Sequence, residues 1–188
     1  MENKKSFNAD AMVAGFVIGL GLFVVDFLSI LMRWETGGGA LRNMLILILV
    51  IGGAVYFTRK RAALAGPAGM TYGRCLGFTV VSMIYAGLLV GIGDVILYKM
   101  IFPAYYNEFV DTAIKASGKM LKNNPLFAGN QGQLKQSLEI SRMLMTSPVF
   151  IILRNVFNVV LLGTLAGLFT SVLCKRPADP FYESQNNE

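Results

Sequence analysis

The sequence predicts an all-α membrane protein: a bundle of four transmembrane helices with an amphipathic helical hairpin between the third and fourth spans. Three observations support this fold class. The chain of 188 residues is 54% hydrophobic and 15% charged, whereas soluble domains contain about 25% charged residues. Four apolar runs are long enough to cross the hydrocarbon core, which takes roughly 17–25 residues. Basic residues collect at the ends of these runs, as they do in membrane proteins.

The first span follows a short polar tail, in which Asp10 is placed to cap the helix. It covers about residues 11–32. It contains Asp26 and is not followed by a small-residue cleavage site, so we interpret it as a span and not as a signal peptide. A glycine-rich turn leads to the second and shortest span, about residues 41–57, and then to a basic loop.

The third span covers about residues 76–102. The loop that follows, residues 103–147, contains two stretches with helical spacing of apolar residues. This spacing predicts an amphipathic hairpin that lies on the membrane surface or against the spans. Pro148 suits the first turn of the fourth span, about residues 148–174.

The basic residues predict the orientation of a single membrane domain, residues 11–174, between polar tails 1–10 and 175–188. The short turn after the first span holds only Arg33 and Arg42. The opposite side of the bundle is marked by six cations near the span ends: Arg59, Lys60, Arg61, Arg74, Lys175 and Arg176. Since cytoplasmic loops are enriched in Lys and Arg, both termini are predicted to be cytoplasmic. The same six residues could also bind anionic lipid headgroups.

Composition argues against several functions. The chain contains no His and no CxxC pair, and its two cysteines, Cys75 and Cys174, lie at the edges of separate spans. We therefore expect no metal site, no redox dithiol and no cofactor. The net charge of +6 would suit nucleic acid. However, many of the basic residues lie at span ends and no nucleic-acid-binding motif is present, so nucleic acid is not expected as a partner.

Three charged residues lie inside predicted spans: Asp26, Asp94 and Arg154. Each costs about 2.5–3.5 kcal/mol at a helix centre on insertion scales. Their distances from the outer span ends, at 1.5 Å per residue, are all ~7–9 Å. Equal depth predicts a cluster that faces the bundle interior, which Asn158, one turn from Arg154, could join. A structural ion pair, snorkelling to the outer interface, and a site for a solute, ion or proton all remain open.

Glycines recur four residues apart in three of the spans, as Gly15 and Gly19, Gly87 and Gly91, and Gly163 and Gly167. Small residues at this spacing let helix backbones approach closely. We therefore predict that these six glycines are helix-packing positions.

The segment Gly91-Ile92-Gly93-Asp94 resembles the GxGD signature of intramembrane aspartyl proteases. That chemistry requires a second carboxylate that shares a proton with the first, and Asp26 is the other acid within a span. The chain has fewer spans than those enzymes and lacks the Pro-Ala-Leu motif of the presenilin type. No residue is therefore assigned a catalytic role, and the protease is the least favoured hypothesis.

Several segments together resemble a family of small bacterial membrane proteins, domain of unknown function 4199. They are Met70-Thr71-Tyr72-Gly73-Arg74, Tyr98, Phe102-Pro103, Pro148 and Lys175-Arg176. The resemblance implies a four-span protein of the bacterial inner membrane and supplies no active-site residue. The leading hypothesis is a non-enzymatic accessory or interaction component, whose partners are the lipid bilayer and a membrane protein or second copy. The alternative is a small transporter or channel that uses the intramembrane charges.

Overall fold

A computed structural model of the chain describes residues 4–33, 39–66, 69–122 and 131–175. It confirms the all-α fold class, because every element of the described residues is helical. The helices are α1 (Lys4–Leu31), α2 (Gly39–Leu64), α3 (Tyr72–Ile96) with a π-helical continuation (Leu97–Ile101), α4 (Pro103–Lys122), α5 (Gln131–Thr146) and α6 (Pro148–Cys174).

Four helical segments are long and apolar enough to cross a membrane: Phe7–Leu31, Gly39–Leu64, Tyr72–Ile101 and Pro148–Cys174. Their ends differ from the sequence prediction. The second helix does not stop near residue 57 but continues through its basic residues to Leu64. The reason is that alanine, leucine, lysine and arginine are all strong helix formers.

The chain divides into two compact units. Unit 1 comprises Met1–Val90 and Asn155–Glu188, and unit 2 comprises Gly91–Arg154. The single domain that the sequence predicts is therefore divided within α3 and α6. Unit 2 contains the amphipathic hairpin together with the adjoining ends of these two helices.

The core of unit 1 is built from apolar side chains of its four helical segments. The core residues are Ile18, Leu22, Val50, Ala54, Met83, Ala86, Val90, Val159 and Ala166. A second cluster contains Cys75 and Cys174. The two thiols, distant in sequence, are thus brought into one buried group that spacing alone could not reveal.

Each of the six predicted packing glycines lies close to a neighbouring helix. A Cβ atom added at any of them would come within 2.2–3.1 Å of another atom. Within unit 1, Gly15 and Gly19 of α1 face α3. Gly163 and Gly167 of α6 face the first half of α3, and Gly87 of α3 faces the backbone of Val156 on α6. Within unit 2, Gly91 faces Ile152.

Unit 2 is held together by contacts of α4. The Tyr106 hydroxyl donates a hydrogen bond to the Met145 carbonyl oxygen at 2.5 Å. The Tyr106 ring stacks on Tyr98 of the π-helical segment, with ring centroids 4.4 Å apart. An ion pair of 2.9 Å joins Arg142 of α5 to Asp111 of α4. The apolar stripe of α4 therefore packs partly within unit 2, where Tyr106 and Val110 are buried.

Candidate functional site

The site begins with a charged pair between α1 and α2. Asp26 lies near the end of α1 and is 5% exposed. Arg42 lies in the first turn of α2 and donates from Nε and Nη2 to Asp26 Oδ1, at 2.9 and 2.6 Å. Charge-assisted hydrogen bonds of this kind offset the cost of placing a carboxylate among apolar helices. The sequence analysis assigns Arg42 to the outer turn, and therefore misses it as the partner of Asp26.

The pair lines a cavity of about 420 Å³ within unit 1. Helices α1, α2 and α6 and the end of the unit 1 part of α3 form its wall. The polar lining residues are Asp26, Arg42, Asn43, Asn155 and Asn158. The apolar lining residues are Leu22, Ile46, Leu47, Val90, Val159, Leu161 and Leu162. The volume lies within the roughly 300–1,000 Å³ typical of small-molecule sites, and mixed apolar and convergent polar walls are typical as well.

The polar groups of the cavity lie at graded depths. At 1.5 Å per residue, Asp26 is ~7.5 Å from the end of α1 and Asn43 is ~6 Å from the start of α2. Asn158 is ~15 Å from the start of α6 by the same measure. Since helices of this length exceed a hydrocarbon core of ~30 Å by a few ångströms at each end, Asn158 lies well inside the apolar region.

The structure distributes the four predicted cluster residues between the units. Asp26 and Asn158 line the cavity of unit 1. Asp94 and Arg154 belong to unit 2, where Asp94 is 1% exposed. Both interact electrostatically with Tyr106 of α4. The positions of the charged residues in the sequence did not predict that Tyr106 would belong to this group. Asp94, Arg154 and Tyr106 thus form a second polar group, which we call the Tyr106 cluster.

The Tyr106 cluster changes the acidity of its phenol. Burial is the largest influence and raises the pKa of Tyr106 above its usual 10.0. The positive charge of Arg154 lowers this pKa, and the negative charge of Asp94 raises it. Tyr106 is therefore a neutral hydrogen-bond donor to Met145 across the physiological pH range.

Replacing Tyr106 with Phe removes that hydrogen bond, and we expect a loss of about 1 kcal/mol of unfolding free energy at neutral pH. The folded-state pKa exceeds the unfolded one, so the unfolded chain loses its proton first as pH rises. The wild type should therefore lose stability above about pH 10, where the phenol titrates, more steeply than Tyr106→Phe. Thermal unfolding in detergent at several pH values measures both effects; parallel pH curves would contradict the second.

The six basic residues at the other end of the spans have different environments. Arg61 is 7% exposed, donates from Nη1 to Asp10 Oδ2 at 2.8 Å, and lies 6.0 Å from the Phe7 ring centroid. Arg61 is therefore largely buried, unlike the surface cation that the sequence analysis predicts. Asp10 is likewise not a helix cap, because α1 begins at Lys4. Both differences from the sequence prediction have the same cause. Helix α1 begins within the polar tail, so Asp10 lies inside the helix and pairs with Arg61.

The other basic residues remain near the surface where the structure describes them. Lys60 and Arg74 are exposed. Arg59 and Lys175, also exposed, line a cavity of about 350 Å³ with Cys174. Arg176 lies outside the described residues. Across the described ranges, no group of three or more His, Cys, Asp or Glu residues is arranged to hold a metal ion.

The fold and the cavity define a class: a small multi-pass α-helical membrane protein with a polar cavity among its spans. The chain belongs to the family described as "Protein of unknown function (DUF4199)", whose model matches residues 14–176. This match confirms the resemblance carried by the sequence motifs. Comparisons with curated proteins and with solved structures gave no match.

Proposed function

We propose that the protein is a non-enzymatic membrane protein that binds a small polar molecule in the cavity beside Asp26 and Arg42, as a transporter or receptor does. One observation carries the proposal: five polar side chains converge on a single cavity among the spans, from Asp26 and Arg42 near the helix ends to Asn158 deep in α6. Polar and ionisable residues in such places are costly and mark ligand pathways. The site offers a carboxylate, a guanidinium and three amides, which can both donate and accept hydrogen bonds.

The chemistry of the pair favours binding over catalysis. Aspartyl proteolysis needs two acids that share a proton. The partner that the structure gives Asp26 is instead a guanidinium, that of Arg42 at 2.6 Å. The motif that ends in Asp94 therefore gains no support as a protease signature. We also propose that the protein needs no cofactor and does not bind nucleic acid.

We infer an inner-membrane location with both termini in the cytoplasm. Four exposed cations support this orientation, all at the ends where α2 and α6 finish and α3 begins: Arg59, Lys60, Arg74 and Lys175. Such an excess of basic residues is typical of the cytoplasmic side.

An accessory role is the second candidate. The α4–α5 hairpin leaves large apolar side chains exposed, among them Phe109, Met120, Ile140 and Met143. These suit the lipid bilayer, a membrane-protein partner or a second copy of the chain. A photo-crosslinker at Met143 distinguishes them: a protein adduct supports the accessory role, and an adduct with lipid alone contradicts it.

The cavity proposal predicts a hydrated pocket, which thiol labelling can detect. In a background without Cys75 and Cys174, Asn158→Cys should react with a small water-soluble methanethiosulfonate, because the thiolate forms only in contact with water. The matched control is Phe157→Cys, because Phe157 is the preceding residue and both positions are exposed, but of the two only Asn158 lines the cavity. We expect Phe157→Cys to face lipid and to react at least about tenfold more slowly, as thiolate formation is suppressed in apolar surroundings.

The binding itself is tested by thermal unfolding with a panel of small polar solutes at increasing concentration. A ligand stabilises the folded state by RT ln(1 + [L]/Kd), so a bound solute raises the midpoint in a dose-dependent manner. Asn158→Leu should abolish this shift. Two results together would contradict the proposal. The first is that Asn158→Cys and Phe157→Cys react equally slowly, and the second is that no compound, solute or lipid, shifts the unfolding midpoint. The cavity would then contain neither water nor ligand.

A further inference from the structure

The cavity of unit 1 carries equal and opposite charge. Among its lining residues one is acidic, Asp26, and one is basic, Arg42. A ligand with a net charge would leave one of the two opposed to a like charge. A zwitterion can add its cation to Asp26 and its anion to Arg42, beside the hydrogen bonds that Arg42 Nε and Nη2 already donate to Asp26.

The cavity also adjoins the lipid-facing surface. Leu47 and Leu161 line it, yet they are 46% and 45% exposed. Both belong to helices apolar enough to cross a membrane. A ligand in the cavity can therefore extend an apolar chain past these two leucines into the bilayer.

The order of the polar groups matches that of a phospholipid. Asp26 and Arg42 lie ~5–8 Å from the helix ends, at the level of the polar interface. Asn155 and Asn158 lie deeper, at ~10 and ~15 Å from the start of α6. The ester carbonyls of a glycerophospholipid lie below its headgroup and only accept hydrogen bonds, which the amide NH₂ groups of asparagine can donate.

We propose that the ligand is a zwitterionic glycerophospholipid with a primary ammonium group, that is, phosphatidylethanolamine, which enters from the outer leaflet. Its ammonium binds Asp26, its phosphate binds Arg42, its esters accept hydrogen bonds from Asn155 and Asn158, and one acyl chain passes Leu47 and Leu161. This inference rests on the proposed binding role of the cavity and identifies the class of molecule bound there.

Native mass spectrometry tests the inference on the full chain, ejected from nanodiscs that contain equal amounts of phosphatidylethanolamine, phosphatidylcholine and phosphatidylglycerol with identical acyl chains. We expect about tenfold enrichment of phosphatidylethanolamine over phosphatidylcholine, equivalent to about 1.4 kcal/mol. The quaternary ammonium of phosphatidylcholine cannot donate a hydrogen bond to Asp26. Phosphatidylglycerol should be depleted, because its net negative charge meets no excess cation in the cavity.

Two single variants assign the bound lipid to the cavity. Asp26→Asn removes the carboxylate that distinguishes the primary ammonium, so it should reduce the enrichment to about equal retention of phosphatidylethanolamine and phosphatidylcholine. Asn158→Leu should instead lower the retention of all three lipids, because the ester groups that Asn158 contacts are common to them. Asn8→Leu is the control, because Asn8 is exposed on α1 and does not line the cavity. Circular dichroism confirms that each variant is folded, and Asn158→Leu provides the deciding measurement if Asp26→Asn does not fold.

The outcomes separate this inference from the proposed function. Equal retention of the three lipids by the wild type, or preference for phosphatidylglycerol, overturns the phosphatidylethanolamine assignment. If a water-soluble solute still shifts the unfolding midpoint, the binding role of the cavity stands without it. Enrichment that persists in Asp26→Asn, or total lipid retention that is unchanged in Asn158→Leu, also overturns the inference, since the lipid is then bound elsewhere.

Discussion

Arg42→Ala should be among the most destabilising substitutions on α2. It leaves the Asp26 carboxylate, which is 5% exposed, without the guanidinium that now donates to it from two nitrogens. Removing one partner of a buried pair costs about 3–5 kcal/mol. We expect the lower end of this range, because the Arg42 side chain is itself 26% exposed. Thermal unfolding in detergent measures the loss.

A double-mutant cycle separates the pair from its surroundings. Asp26→Asn removes the acid while keeping its shape, and in that background Arg42→Ala should cost much less than in the wild type. Lys60→Ala provides the control, because Lys60 is an exposed cation of α2 that does not line the cavity. Equal costs of Arg42→Ala with and without Asp26 would show that the two side chains do not stabilise each other.

Gly87→Ala should destabilise unit 1 although alanine is the better helix former. The added methyl carbon would lie 2.7 Å from the Val156 Cα atom, which belongs to the backbone and cannot rotate away. Overpacking of this kind costs about 1–3 kcal/mol. Gly77→Ala on the same helix meets no atom within 4 Å, so it should be neutral or stabilising by up to about 1 kcal/mol.

The two alanine variants form a matched pair, since helix, residue type and substitution are the same and only the distance to a neighbouring helix differs. Unfolding midpoints of the two proteins in the same detergent measure the difference directly. Equal midpoints would mean that the close approach of Gly87 to α6 does not limit packing. The result bears on Gly15, Gly19 and Gly91 as well, because an added Cβ atom there would also meet backbone atoms of a neighbouring helix within 3.0 Å.

The four spans were predictable because an apolar run of ~20 residues has few alternatives to a transmembrane helix. Helix ends were less predictable. Helix α2 continues past Arg59 to Leu64 because its basic residues are good helix formers whose long side chains reach the interface without ending the helix. Hydropathy reports where a segment is apolar, and not where its backbone stops being helical.

The site was predictable only in part. Asp26 and Asn158 stood out by residue type and depth, and both line the cavity. Arg42 could have been found by the same comparison, since its place in the first turn of α2 puts it at nearly the level of Asp26. The cavity could not be predicted from the sequence, because its existence depends on which faces of α1, α2 and α6 meet. Near-uniformly apolar helices carry little periodicity from which to infer that orientation.

The two ion pairs described above both join α1 to α2, and they do so at opposite ends of the helices. Asp26 binds Arg42 where α1 finishes, and Asp10 binds Arg61 where it starts. Together they fix the axial register of the two helices, since a slide of one turn, ~5.4 Å, would break both bonds at once. If α1 and α2 move when a ligand enters, we therefore expect them to move together as one unit.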